Sequence, residues 1–179
     1  MRALVVYESM FGNTRAIAEA VGAGLAEVAA VEVVAVSSVT PGQVESADLL
    51  VVGGPTHGWT MSRPNSRKAA AKQAADGQAG LRLEPQATGP GVREWLAELP
   101  TADRQVAAFD TRLRAPRLLT GRAAPKIARA LRRRGGNMVA QPESFLVTKA
   151  SALVTGERER ARRWGTDLGA RADVRERSA

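Results

Sequence analysis

Residues 8 to 14 read Glu8-Ser9-Met10-Phe11-Gly12-Asn13-Thr14, a loop with two hydroxyls, an amide, a glycine, no lysine and one acid at its edge. It follows the apolar run 3–7 and opens onto a helical pattern in which Ile17, Val21, Leu25 and Val28 recur every three or four residues. The unpaired N–H groups and positive dipole end of such a helix favour an anion. Ser9, Asn13 and Thr14 add neutral donors, so the loop suits a phosphate monoester. The lysine of Gly-x-x-x-x-Gly-Lys-[Ser/Thr] is missing, which argues against the nucleotide-triphosphate loop. The same residues also suit a plain helix cap made by Asn13 or Thr14. The loop by itself leaves both readings open.

Two further stretches could meet a planar ring. Residues 54–60, "GPTHGWT", hold the one histidine of the chain and one of its three tryptophans. His57 and Trp59 offer flat faces, and Gly58 lets a peptide reorient, since glycine tolerates positive φ. The plainer alternative packs Trp59 under the following helix. Residues 110–114, "DTRLR", add Asp110 as an acceptor for a ring N–H, beside Thr111; an Asx turn is the alternative for Asp110. Gly22-Ala23-Gly24 imitates half of a dinucleotide fingerprint, but it falls inside the helical pattern rather than after a strand. Close helix–sheet packing is the expectation there.

These stretches need a scaffold to bring them together, and the chain alternates apolar runs with helical patterns throughout. Strands are expected at 3–7, 31–36, 48–53 and 105–109, with a last one from 137–140 and 144–148 broken by Pro142 and therefore at an edge. Helices are expected at 14–28, 64–75, 92–99, 124–133 and 157–170. The Gly-, Pro- and Gln-rich stretch 76–91 reads as a mobile loop, an insertion or a lid. Residues 1–171 form one domain, and 172–179 a frayed tail. Such alternation predicts an α/β fold, parallel strands joined by right-handed crossovers with helices on both faces. In it, all three stretches fall at the carboxyl ends of strands, where ligands bind.

Composition narrows the classes. The 179 residues contain no cysteine and a single histidine, which removes disulfides, thiol catalysis and a His-rich metal site. No stretch has the make-up of a secretory leader or the roughly 20 apolar residues of a membrane span, so a cytoplasmic protein with no membrane partner is expected. The net charge of +8 and pI near 11.1 invite a nucleic-acid reading. Alanine, glycine and arginine abound everywhere, however, as GC-rich coding would produce, and nucleic acid is not the expected partner.

Taken together, the three stretches resemble the flavodoxin family. "ESMFGNT" matches its phosphate loop, "GGPTHGW" its flavin-flanking loop after strand three, and "FDTR" the start of its second ring-contacting loop. Phe11, the Pro-Thr-His loop and "PESF" resemble a short-chain actinobacterial-type branch. The resemblance covers the whole chain and implies a three-layer fold with a five-stranded sheet of order 2-1-3-4-5, with FMN as cofactor. It implies that Ser9, Met10, Phe11, Gly12, Asn13 and Thr14 cradle the phosphate. Pro55, Thr56, His57, Gly58 and Trp59 would line one side of the ring, and Asp110, Thr111 and Arg112 the other. The third loop lacks the usual second aromatic, which would leave that ring face more open.

Classical members of this family are acidic, whereas residues 112–134 here hold nine Arg or Lys and no acid. Such charge favours the anionic reduced ring and so a higher potential. It also implies acidic redox partner proteins such as ferredoxins, or NAD(P)H. His57 beside a reduced ring would be drawn toward protonation. The first expectation is an electron-transfer protein. The alternatives are an FMN-dependent NAD(P)H reductase of quinones or similar small molecules, with 76–91 as its lid, and a flavin-free module binding an anionic macromolecule through 112–134.

Overall fold

A computed structural model describes residues 1–76 and 81–176. Each expected strand core alternates its side chains between two faces, and each face has its own helices. β1 (Arg2–Tyr7), β2 (Ala30–Ala35), β3 (Leu49–His57) and β5 (Arg104–Leu113) are mutually parallel neighbours. Leu4, Val6, Leu50, Val52, Val106 and Ala108 bury against Val92 and Leu96 of α4 (Val92–Glu98) and Ile127 and Leu131 of α6 (Ala124–Arg133). Ala3, Val5, Leu49, Val51, Ala107 and Phe109 bury on the other face, against Ile17, Val21 and Leu25 of α1 (Asn13–Leu25) and Leu168 of α7 (Glu157–Glu176). Phe109, Phe145 and Trp164 meet edge to face with centroids 6.0–6.2 Å apart.

Glycine makes two of these approaches possible. A Cβ on Gly24 would come within 2.0 Å of the Arg162 carbonyl oxygen, and one on Gly165 within 2.2 Å of the Val21 oxygen, so α1 and α7 touch backbone to backbone. Gly22 meets Val33 of β2. The Gly-Ala-Gly imitation is therefore packing, half against the sheet as expected and half against a helix.

Among the described residues the sheet has seven strands, five in the order β2-β1-β3-β5-β6 and two off that path, in place of the expected five in order 2-1-3-4-5. One extra strand is β4 (Thr60–Met61), which turns back on β3 as an antiparallel hairpin. The other comes from the interrupted edge, where β6 (Gly136–Met138) and β7 (Glu143–Val147) each pair parallel with β5. Pro142 falls in the gap between them, where no ladder N–H is needed. The α/β architecture with helices on both faces stands.

Boundaries shift for local reasons. β3 runs four residues beyond Gly53, and β5 four beyond Phe109, because their extensions find ladder partners in each other and in β7. Asp110, Thr111 and Arg112 therefore lie in a strand rather than in a loop. α1 stops at Leu25, leaving Val28 half exposed. α7 continues to Glu176 where a frayed tail was expected, and 177–179 lie outside the described residues. Two short helices were not anticipated, α2 (Pro41–Glu45), capped by Thr40, and α5 (Arg117–Thr120). α3 spans Pro64–Ala75 as expected. Of the 76–91 loop, 77–80 lie outside the described residues, while Leu83 and Ala87 pack on Met10 and Phe11. No described helix is long and apolar enough to cross a membrane.

Candidate functional site

The first loop is rooted by its acid. Glu8 is buried, and its carboxylate accepts from the Ser62 hydroxyl and, at 2.9 Å, from the Val92 N–H at the start of α4. Buried Arg67 donates to Ser62 at 2.9 Å and pairs with Glu94 at 3.1 Å. The end of β1 is thereby tied to α3 and α4. Two residues on, the Ser9 hydroxyl accepts from the Gly12 N–H at 3.1 Å, closing the loop on itself.

Gly12 occupies the N-cap of α1 with φ 86°, a left-handed conformation that suits glycine. No side chain caps this helix. The Thr14 hydroxyl instead shares a 2.7 Å hydrogen bond with Thr111 of β5, and the Asn13 amide donates to the Ser151 carbonyl at 2.8 Å. Of the two readings left open by sequence, the side-chain cap is therefore excluded. The Gly12 N–H is spent on Ser9, while among the described residues no side-chain cap takes the N–H groups of the first turn beyond it. Glu84 approaches it: its Oε1 lies 3.2 Å from where a Gly12 Cβ would stand, its Oε2 3.2 Å from Arg15, and its N–H donates to the Met10 carbonyl at 2.8 Å.

The second stretch is mostly strand. Thr56 pairs with Met61 and His57 with Thr60, leaving Gly58 and Trp59 as a two-residue turn with φ 52° and 66°. Positive φ at both central positions is the primed hairpin turn that matches strand twist. Glycine accepts it freely; tryptophan does not, and such a residue costs about 1–3 kcal/mol. Trp59 is 61% exposed rather than packed beneath α3, and its indole N–H donates to the Leu118 carbonyl of α5 at 3.4 Å. Burial, with repulsion from Arg67 second, holds the His57 imidazole below its usual range.

At the third stretch alternate residues part ways, as strand geometry requires. Asp110 is fully buried and accepts from the Ala124 N–H at 2.7 Å, while Thr56 accepts from the Ala123 N–H at 3.0 Å; together they cap α6. Burial pushes the Asp110 carboxyl up, against the opposing pull of that N–H, the Ser144 hydroxyl and Arg122. The Arg112 guanidinium is buried and donates to the Leu113 and Ala115 carbonyls and the Thr120 hydroxyl at 3.0–3.2 Å.

Nine of the expected residues line one cleft of about 160 Å³: Met10, Phe11, Asn13, Thr14, Pro55, Thr56, His57, Thr111 and Arg112. Ser9, Gly12, Gly58, Trp59 and Asp110 do not line it. Leu113, Val147 and Ser151 complete it and were not anticipated. Val147 ends β7, so the rule that ligands sit at carboxyl strand ends could have found it; no local signal marks Ser151. A larger hollow of about 360 Å³ lies on the β2 side of the loop, between residues 33–38 and 84–90, and meets neither the hairpin nor β5.

The flavodoxin family model matches residues 5–95. Among solved structures, a flavodoxin from the domain Archaea is similar, with 22% identity over 97% of this chain and 99% of its own and a TM-score of 0.65. Oxidised Flavodoxin 1 from Bacillus cereus shares 17% identity over 94% and 97%, with a TM-score of 0.63. The flavodiiron core of Flv1 from Synechocystis shares 15% identity over 97% of this chain but 36% of its own, with a TM-score of 0.63. No curated protein matches the sequence. At such identities the likeness to solved structures is one of fold.

Proposed function

The chain belongs to the flavodoxin family, and on that premise we propose that it is a cytoplasmic electron-transfer protein using FMN, the family's cofactor, held across the cleft between α1, the β3–β4 hairpin and the end of β5. The observation that carries this reading is the uncapped start of α1, opening beside a cleft lined from all three stretches. Those N–H groups, with Thr14 and Asn13, suit a terminal phosphate. Pro55, Thr56 and His57 on one side and Thr111 and Arg112 on the other suit a flat ring. When bound, FMN supplies one- and two-electron chemistry.

The protein's own part is to hold and to bias. Thr14 and Thr111 tie the helix start to the sheet, and Asn13 ties it to Ser151. Arg112 puts a buried positive charge at the cleft wall, which favours negative charge arriving beside it. At about 160 Å³ the cleft falls below the roughly 300 Å³ at which pockets enclosing a whole ligand begin. A flavin there keeps one edge at the surface, within reach of a partner. That openness also favours the second reading, an FMN-dependent reductase taking electrons from NAD(P)H to a planar acceptor such as a quinone. Given the basic segment 112–134, the partners of the carrier are acidic redox proteins.

An absorbance scan of the purified protein between about 350 and 500 nm, before and after adding FMN, tests the cofactor. Thr14→Leu is expected to weaken FMN binding by about tenfold or more, about 1.4 kcal/mol, in a flavin-fluorescence titration. Unchanged affinity in a folded variant overturns the phosphate assignment. Steady NAD(P)H-dependent quinone reduction by the pure protein would select the reductase. Colourless protein that ignores FMN yet shifts DNA would select the anionic-macromolecule module.

A further inference from the structure

Apolar side chains left in water on a charged protein mark contact surfaces when they cluster. Among the described residues the large exposed ones are Val28, Trp59, Leu113, Leu118 and Leu119. Leu113 lines the cleft, and Trp59, at the tip of the hairpin whose His57 also lines it, joins Leu118 of α5. Leu118, 91% exposed, and Leu119, 67% exposed, stand on α5. The Trp59 indole bonds the Leu118 carbonyl, and the Trp59 backbone bridges to Gly121. Leu113 ends β5 and also lines the cleft, and Arg112 ties that strand end to Ala115 and Thr120. The platform is thus held from below by a buried cation and continues directly into the flavin site.

The sequence that builds and borders it is rich in positive charge. The stretches that build it and flank it, 49–75, 111–142 and 144–156, contain no Asp or Glu. Arg63, Arg114, Lys126 and Lys149 stand exposed within them. A second copy of this chain would bring these like charges together, which disfavours self-association. The centre of the platform is leucine with one indole, rather than the row of stacking aromatics that single-stranded nucleic acid uses. An aliphatic and aromatic centre inside a charged rim is the anatomy of a protein–protein interface.

We propose that Trp59, Leu113, Leu118 and Leu119 form the apolar centre of a docking face for an acidic redox protein, steered by the surrounding arginines and lysines. The proposal rests on the electron-transfer reading above, and it names the surface at which the partner meets the cleft. Because Leu113 belongs to both, a partner seated there stands at the open edge of the site.

The test uses the full chain, apo and FMN-loaded, with a purified acidic [2Fe–2S] ferredoxin as probe and basic cytochrome c as comparison, by titration calorimetry. Ferredoxin is expected to bind both forms at about 20 mM salt and to weaken by about tenfold or more at about 300 mM, where screening is short-ranged. The double variant Leu118→Ser/Leu119→Ser and the single variant Arg114→Glu should each weaken it by about tenfold, with FMN affinity unchanged. Ferredoxin binding unaffected by either variant, absent ferredoxin binding, or preference for cytochrome c overturns the proposal. So does a wild-type dimer in analytical ultracentrifugation that the double variant dissociates, which would assign the face to a second copy. Failure to bind FMN would defeat the electron-transfer reading alone, since the apo protein still reports on the surface.

Discussion

Asp110 shows how one residue type serves a different end once its neighbours are known. Its carboxylate takes the Ala124 N–H at the start of α6 and sees no solvent. Because burial raises its folded pKa above the unfolded value of 3.8, the folded state binds its proton more tightly. Its contribution to stability is therefore lost as pH rises from about 4 through the folded pKa. Asp110→Asn keeps an acceptor for Ala124 and sheds the charge. Thermal melts are expected to show this variant more stable than wild type at pH 7, with the gain shrinking toward pH 4. A variant equally or less stable at pH 7 would mean that the carboxylate's hydrogen bonds outweigh its desolvation. From sequence Asp110 suits a ring N–H or an Asx turn, because nothing local reveals that its strand continues and turns it toward α6.

At the scale of elements, what was legible is what periodicity writes locally. The cores of β1, β3 and β5, the inward faces of α1 and α6, and the loop between β1 and α1 all come from patterns within a dozen residues. What escaped depends on a distant partner. "GPTHGWT" has loop composition, yet Pro55, Thr56 and His57 stay extended because β5 and β4 pair with them. Arg112 and Leu113 are strand only because β7 lies beside them. The same dependence hid Ser151 from the cleft. The α1–α7 contact was half legible: Gly22-Ala23-Gly24 marked a close approach, expected against the sheet, but Gly24 meets α7 instead. Since a Cβ there meets backbone rather than a yielding side chain, Gly24→Ala is expected to destabilise by about 1–3 kcal/mol in denaturant unfolding, whereas Gly42→Ala, with open space around it, is not.

For the whole molecule, charge is the dominant departure from a neutral surface. A net +8 repels itself in the folded state, and the exposed salt bridges, Arg15–Glu19 and Arg162–Glu27 at 3.6 and 3.3 Å, offset little of it. The melting temperature is expected to rise as salt is raised from about 10 to about 150 mM, over which the screening length falls from roughly 30 to 8 Å. A fall over that range would mean that attractive pairs prevail over net repulsion.

One feature of the fold reaches further than its place in the sheet. β5 does not stop short of the cleft but runs beneath it, paired to β3 through Gly54–Asp110 and Pro55–Thr111 and to β7 through Thr111–Phe145 and Arg112–Leu146. Asp110 and Thr111 are paired on both sides and Arg112 and Leu113 on the β7 side, which leaves this floor little freedom to swing a dipole toward a change of charge above it. Adjustment is confined to the tip of the hairpin and the turn that carries Ser151. On the proposed reading the site is stiff below and yielding at its rim, so that the reorganisation accompanying each electron would fall on the edge proposed to face the partner.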